Sequence, residues 1–273
     1  MKPFFSVIIP TLDEERYIGR LLTKLTKQTN QNFEVIVVDG KSQDSTCEIV
    51  GSFSKRLPLT LLSTRIRNVS VQRNKGARKA RGKYLIFFDA DVQFMPTYLE
   101  QLRRYVDTHQ VVYLTTYIKA DSNNIYDQVI ASFANLGTEL ARVIEKPFTP
   151  GFNFIIKRSD FLKIGGFHRN VVHGEDYDLS IRLNKSGYKL ALIKKPKLTF
   201  SLRRFREEGR LTVIRKLAKS SYHQLTKGSI TDELFDYPMG GGWYGKNGKR
   251  LKPKMRVTID QYLKDLKTVF IES

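Results

Sequence analysis

Four short apolar runs separated by helical periodicity constrain this chain more than any other feature. SVIIP (6–10), FEVIVVDG (33–40), LTLLS (59–63) and YLIFF (84–88) each read as a buried strand. After the first, Thr11 to Lys27 carries Ile18, Leu21, Leu22 and Leu25 at helical spacing. Asp44 to Phe53, Ser70 to Ala80 and Pro96 to Tyr105 supply three more helices. Strands that alternate with helices are joined by right-handed crossovers, giving a mainly parallel sheet with its ligand cleft beyond the strands' carboxyl ends. VVYLTTY (111–117) and FNFIIK (152–157) add later strands, and Asp176 to Asn184 a further helix. The expected fold class is α/β.

That topology gives meaning to where the acids fall. Thr11 to Glu14, Asp39 to Asp44 and Asp89 to Asp91 each follow a strand directly, so three acidic loops should converge on one edge of the sheet. In YLIFFDADV, Asp89 and Asp91 flank Ala90. On an extended backbone residues i and i+2 point the same way, roughly 6–7 Å apart. Both carboxylates therefore reach one divalent cation, or one cation and a sugar hydroxyl. Hard oxygen ligands select Mg²⁺ or Mn²⁺. In VDGKSQDST, Asp44, Ser45 and Thr46 suit a helix cap. Capping does not explain Asp39, which stands where a base or ribose hydroxyl could be read.

Basic residues crowd the stretch before the triplet: Arg65, Arg67, Arg73, Lys75, Arg78, Lys79, Arg81 and Lys83. Most of them suit a solvated helix face, while Arg73 and Asn74 are better placed to meet a diphosphate. In HGEDYDLSIRL, Glu175 and Asp176 open a helix. Acids there complement the helix dipole; the alternative is a general base that takes a proton from an attacking hydroxyl.

A chain of 273 residues makes one generous domain, or one domain with an appendage. Its formal net charge of +20 favours polyanions or anionic surfaces. The single cysteine, Cys47, rules out an internal disulfide framework and is compatible with a reducing compartment. The opening apolar run reads as a first strand rather than a signal peptide, and no stretch of about 18 apolar residues occurs to span a bilayer. A cytoplasmic protein, peripheral on the inner face of the cell membrane, is the expectation.

Composition shifts after residue 200, with 16 Lys and Arg against 8 Asp and Glu from 201 to 273. There a helix puts Leu211, Ile214, Leu217 and Leu225 on one side and Arg215, Lys216 and Lys219 outside it. Its apolar side suits either anionic lipid or packing on the rest of the chain.

Taken together, SVIIPTLDEERYIGRLL, IVVDGKSQDST, QRNKGARKARGKYLIFFDADV, GFNFIIKRSDFLKIGGF and GEDYDLSIRLNKSGYKL resemble the family-2 glycosyltransferases of the GT-A fold. The likeness covers roughly residues 4–200 in the family's order and spacing. It implies a GT-A (Rossmann-like) catalytic domain over 1–200, with a nucleotide-binding half (1–110) and an acceptor-binding half (111–200). A basic, mostly helical C-terminal extension would occupy 201–273. The implied enzyme is an inverting hexosyltransferase that uses Mn²⁺ or Mg²⁺. It would move a sugar from a UDP- or GDP-sugar to the hydroxyl of a lipid-linked or glycan acceptor, in glycolipid, cell-envelope polysaccharide or glycan synthesis.

By the same resemblance, Pro10, Thr11, Glu14, Asp39 and Arg73 would surround the base and ribose. Asp89, with Ala90, would lie near the ribose and diphosphate, and Asp91 would bind the metal, with Asp89 its neighbour. Asp176 would be the catalytic base and Glu175 its partner, while Gly151 and Asn153 would border the donor sugar or acceptor. The first loop departs from the family: Leu12-Asp13-Glu14 stands where an aromatic residue, Asn and Glu are usual, so Glu14 is kept while the Asn is replaced. The polymerising signature Q-x-x-R-W is missing, and the lone tryptophan lies in GGGWYG, which argues against a polymer-extruding synthase.

Two other readings stand beside this one. Transfer to a polyprenyl phosphate, as in relatives of dolichol-phosphate mannose synthase, needs no base and would use Arg203, Arg204 and Arg206 for a phosphate or lipid contact. A nucleic-acid-binding protein would match the charge, but zinc-ligand spacing and aromatic RNA-binding signatures are missing, and acids cluster where phosphates would be repelled.

Overall fold

The structure, a computed structural model, describes residues 2–235 and 240–241. Most of the Gly-rich stretch and the remainder of the basic segment to residue 273 lie outside the described residues, and the tryptophan with them. Seven strands form one sheet: β1 (Phe5–Thr11), β2 (Phe33–Asp39), β3 (Leu59–Ser63), β4 (Tyr84–Phe87), β5 (Tyr113–Ala120), β6 (Phe154–Lys157) and β7 (Leu190–Phe200). Their order is β3-β2-β1-β4-β6-β5-β7. Strands β3, β2, β1 and β4 are parallel, β6 runs antiparallel between β4 and β5, and β7 is parallel to β5. The mainly parallel α/β sheet is as expected from the alternation. The order reverses between β1 and β4, where such folds open their clefts.

Strand β1 shows why Val7, Ile8 and Ile9 follow one another without a polar residue between them. Val7 and Ile9 pack on one side of the sheet against α1 (Ile18–Thr26) and α4 (Tyr98–His109). Ile8 packs on the other, with residues of α3 (Val69–Lys79), α6 (Arg158–Lys163) and α7 (Glu175–Lys185). A strand covered on both faces has no polar side to offer. Helix α2 (Thr46–Gly51) connects β2 to β3.

Two boundaries near the acidic loops differ from the sequence reading. The first helix begins at Ile18 rather than Thr11. Asp13 takes a left-handed φ of 52°, and its loop is tied to the next one: Asp13 N–H donates to Ser42 Oγ, Gln43 N–H to Asp13 Oδ1 and Glu14 N–H to Thr46 Oγ1. Those cross-loop bonds replace a helical first turn. Phe152 and Asn153 lie in a 3₁₀ turn (Gly151–Asn153) ahead of β6 instead of in the strand. Two long elements, α5 (Ile125–Val143) and β7, carried no sequence expectation.

The segment after residue 200 starts as α8 (Arg203–Glu207) and α9 (Arg210–Lys227). Leu202, Phe205 and Val213 join Ile118, Ala120 and Ala131 in a buried cluster. Leu211, Ile214, Leu217 and Leu225 are exposed, so α9 packs through Val213 and Ser220 rather than through its apolar side.

A buried polar knot ties β1, β2 and the turn before β4 together. Glu34, 6% exposed, accepts from Ser6 Oγ and from the Arg81 backbone N–H, each at 2.7 Å. Gly82 N–H donates to Ser6 Oγ at 2.8 Å. A Cβ on Gly82 would stand 2.6 Å from Ser6 N and 2.7 Å from Phe5 C. Gly82→Ala is therefore expected to cost about 1–3 kcal/mol and to lower the melting temperature by about 3–10 °C in a circular-dichroism scan. An unchanged melting temperature would show that β1 and β4 separate freely here.

Candidate active site

Five carboxylates gather beyond the carboxyl ends of β1 and β4, and two arginines tie four of them together. Glu14 stands on the loop after β1, and Asp89 and Asp91 follow β4. Ala90, between the two aspartates, is buried in the core, which anchors the triplet. Arg203, from the start of α8, grips both sets. Its NH1 and NH2 meet Glu14 Oε2 and Oε1 at 3.0 Å each, and its Nε lies 3.0 Å from Asp91 Oδ2. The guanidinium also lies 4.4 Å from the Tyr17 ring centroid. A cleft of about 210 Å³, lined by Tyr17, Asp91, Gln93, Ser201 and Arg203 among others, opens beside it. That volume is below the range of about 300–1,000 Å³ usual for ligand pockets.

Arg73, on α3 and 3% exposed, makes the second bridge. Its NH2 meets Asp89 Oδ1 at 2.9 Å and its NH1 meets Glu175 Oε1 at 2.5 Å. The triplet after β4 is thereby linked to the acid pair at the start of α7. Asp176 Oδ2 accepts the Gly151 backbone N–H at 2.7 Å, and Oδ1 accepts the Tyr177 N–H at 2.8 Å. Gly151 has no room for a side chain: a Cβ would lie 2.8 Å from Arg73 NH2. The backbone comes this close because both Asp176 and Arg73 need it there.

Burial leaves Glu14, Asp91 and Asp176 hard to ionise. Desolvation pushes Glu14 up to about 7, against the lowering effect of Arg203. Asp91 rises to about 6 for the same reason, with Asp89 adding to the rise and Arg203 opposing it. Asp176 reaches about 7, first through desolvation and then through the adjacent Glu175 charge, with Arg73 and the Gly151 N–H opposing both.

The other residues singled out from the sequence have these surroundings. Asn153 is fully buried: its Oδ1 accepts from Tyr98 OH at 2.9 Å and its Nδ2 donates to the Thr116 carbonyl at 3.0 Å. It supports β5 and does not border the cleft. Asn74 is fixed at both ends to the Phe167 backbone: its Nδ2 donates to the Phe167 carbonyl at 2.7 Å and its Oδ1 accepts the Phe167 N–H at 3.0 Å. Asp39, 2% exposed, accepts from Thr11 Oγ1 at 3.2 Å and from Ser42 N–H at 2.9 Å. Pro10 is buried within β1, in register with Val38. Arg206 pairs with Asp121 at 2.6 Å and Asp127 at 3.2 Å, and Arg204 lies 3.9 Å from Glu208, so neither is in the acid cluster. Gln72 went unnoticed in the sequence, yet its Nε2 donates to the Thr11 and Val38 carbonyls at 2.8 Å each and clamps the ends of β1 and β2. A lone glutamine in a basic stretch gives no signal of that role.

The cleft suits a divalent cation. Among the described residues no three His, Cys, Asp or Glu side chains form a metal cage. Mg²⁺ and Mn²⁺ do not need one, since they are held by one or two carboxylates together with substrate phosphates. Asp91 and Asp89 offer such a pair, and the desolvated Asp91 carboxylate already draws a cationic partner in Arg203.

Residues 6–165 match the profile described as Glycosyl transferase family 2. The chain belongs to that family. An uncharacterized glycosyltransferase of Haemophilus influenzae is 30% identical over 182 residues, 65% of this family-2 chain and 61% of that protein. The amylovoran biosynthesis glycosyltransferase AmsB of Erwinia amylovora is 31% identical over 209 residues, covering 70% and 67%. The family-2 chain thus spans about three fifths to two thirds of the length of these curated relatives. The mannosyltransferase PcManGT of Pyrobaculum calidifontis, solved with GDP-Man and Mn²⁺, superposes with a TM-score of 0.64 at 21% identity, covering 84% of this chain and 66% of that one. Staphylococcus aureus TarS (1–349) with UDP-GlcNAc gives 0.62 at 24% identity, covering 74% and 59%. The GT-A fold is shared with both.

The raised carboxyl groups make stability depend on pH. Between about pH 4 and 7 the folded chain keeps protons on Glu14, Asp91 and Asp176 that the unfolded chain has released, so stability falls as pH rises through that window. Each group contributes at most about 1.4 kcal/mol per pH unit. Asp176→Asn removes one share. Urea midpoints at about pH 5 and 7 should fall less for Asp176→Asn than for the wild type, and equal falls would refute the shift.

Proposed function

We propose that this chain is an inverting glycosyltransferase that moves a sugar from a UDP- or GDP-sugar to an acceptor hydroxyl. One observation carries the reading: Asp176, held by the Gly151 N–H, sits at one end of an ion-pair chain running through Glu175 and Arg73 to Asp89 of the triplet. A base for the acceptor and the carboxylates for the diphosphate are thereby set at two ends of one rigid unit. A base titrating near neutral pH is matched to removing a hydroxyl proton during transfer.

In this reading the acceptor oxygen gives its proton to the Asp176 carboxylate and attacks the anomeric carbon, and the bond to the diphosphate breaks on the opposite face. Glu175 raises the proton affinity of Asp176, and Arg73 holds Glu175 and Asp89 in place. Asp91 and Asp89 would hold Mn²⁺ or Mg²⁺, which when bound supplies charge neutralisation on the leaving diphosphate. Arg203, paired with Asp91, would add positive charge beside the diphosphate oxygens. Thr11, Glu14 and Asp39 border the base and ribose.

The acceptor is proposed to be lipid-linked or a glycan presented at an anionic membrane surface, with the enzyme peripheral on the cytoplasmic face. The +20 charge supports this, as do the names of two relatives. One is the amylovoran biosynthesis protein. The other is a Methanococcus voltae protein, 26% identical over 215 residues, named as a glucuronosyltransferase acting on a dolichyl N-acetylglucosaminyl phosphate. Direct transfer to a lipid phosphate has less support, because Arg203, Arg204 and Arg206 all face protein carboxylates. The catalytic domain is taken as residues 1–200, with 201–273 as a basic extension that begins packed on it.

A panel of UDP- and GDP-sugars with Mn²⁺, read by donor hydrolysis and thermal shift, tests the donor class. For the best donor, Asp176→Asn should lower kcat by about 10²–10⁴-fold while nucleotide affinity stays within about twofold. Wild-type kcat/KM should rise with pH and level off above about 7, since Asp176 must be ionised to act. An Asp176→Asn enzyme with full activity would remove the base assignment.

A further inference from the structure

Two helices among the described residues carry apolar sides that are exposed. Among the described residues, thirteen of the eighteen exposed large apolar side chains belong to α5, its following residue Ile144, and α9. Along α5, Ile125, Val129, Phe133, Leu136, Leu140 and Val143 recur at the spacing of a single stripe. Phe133 is 67% and Val143 70% exposed, while Asp127, Ala131 and Thr138 on the opposite side are buried. On α9, Leu211, Ile214, Leu217, Tyr222 and Leu225 are exposed, and Val213 and Ser220 face inward.

The two helices run side by side in the same direction. Arg210 NH2 meets Asp127 Oδ1 at 2.9 Å near their starts, and Lys146 Nζ reaches the Leu225 carbonyl at 3.4 Å near their ends. Ala131 and Val213 share one buried cluster, so both stripes turn away from it. Contiguous exposed apolar surface of this kind marks an interaction site rather than ordinary surface scatter.

Charge selects the partner. Helix α9 carries five Lys and Arg and no Asp or Glu along its 18 residues. Exposed Arg215 and Lys219 lie one turn apart beside its stripe. A second copy would set this basic helix against itself. Residues 242–273 are basic too, with eight Lys and Arg against three Asp and Glu. Anionic lipid answers both features, since the acyl boundary takes the apolar stripes and the headgroups take the cations. No helix among the described residues is long and apolar enough to cross a membrane, so contact is in the plane of the surface.

We infer that the paired α5–α9 face is the surface by which this protein lies on membranes containing anionic phospholipid, an inference that rests on the membrane-acceptor reading above. The face adjoins the catalytic cleft: Arg206 and Arg210 tie α8 and α9 to Asp127 at the start of α5, while Arg203 of α8 enters the acid cluster. A lipid-linked acceptor held in the same membrane is thereby brought beside the cleft.

Flotation of the full chain with vesicles tests this. The wild type should float with phosphatidylcholine vesicles containing phosphatidylglycerol and not with phosphatidylcholine alone. Phe133→Glu combined with Leu140→Glu should weaken binding at least about tenfold, and Arg215→Glu with Lys219→Glu by about fivefold per charge removed. Hydrolysis of the soluble donor without vesicles should be unchanged in both variants, which separates this face from the donor site. Failure of the wild type to float, or undiminished flotation of the Phe133→Glu/Leu140→Glu chain, overturns the inference. So does a wild-type dimer that this variant dissolves, or a photo-cross-linker at position 133 that captures residues 242–273 in the free protein.

Discussion

Four carboxylates and two guanidiniums, drawn together beyond the strand ends, are the constraint on which the candidate active site depends. Arg203 joins Glu14 to Asp91, and Arg73 joins Asp89 to Glu175. Isolated buried carboxylates would simply take up protons. Paired in this way, carboxylates from distant points along the chain are held close together, each arginine bridging two of them. The loop after β1, the triplet after β4 and the start of α7 therefore move as one body. Asp176 is added to it through the Gly151 N–H.

The same pairing explains how the site stays poised. Desolvation raises Glu14, Asp91 and Asp176 toward neutral pH, and the arginines only partly oppose it. Such a cleft accepts a further cation readily, since an added positive charge relieves acids already crowded and dry. Arg203 occupies the cationic position beside Asp91 in this structure, and it stands on α8, the helix that also leads into the exposed α9. Proposed donor binding and proposed membrane contact are thus carried by neighbouring parts of one segment.

Much of the strand framework was legible in the sequence because a strand buried on both faces leaves an unbroken apolar run, as SVIIP and YLIFF do. The acids after those runs were legible for a related reason: a charged residue ending a buried strand must emerge at the sheet edge. What escaped was the use each side chain is put to. Asn153 and Asn74 looked like cleft residues, but their amides satisfy buried backbone and hydroxyl groups instead. Asp13 has a left-handed backbone and cross-loop bonds that delay the first helix, and neither is visible in its spacing. Helix α5 packs by a narrow strip of Asp127, Ala131 and Thr138, so its apolar stripe reports an outward surface rather than a core.

The sequence by itself determined the α/β sheet, the position of its acidic loops and the family to which the chain belongs, because those depend on local periodicity and on residues adjacent in the chain. Only the tertiary structure decided which charge meets which. Glu14 and Arg203 are separated by 189 positions, and Arg73 and Glu175 by 102, and nothing local in either neighbourhood specifies the partner. Long-range ion pairs are chosen by where the folded backbone delivers their ends. The outward direction of the α5 and α9 stripes was decided in the same way, since a helix's period shows that it has an apolar side but not what that side faces.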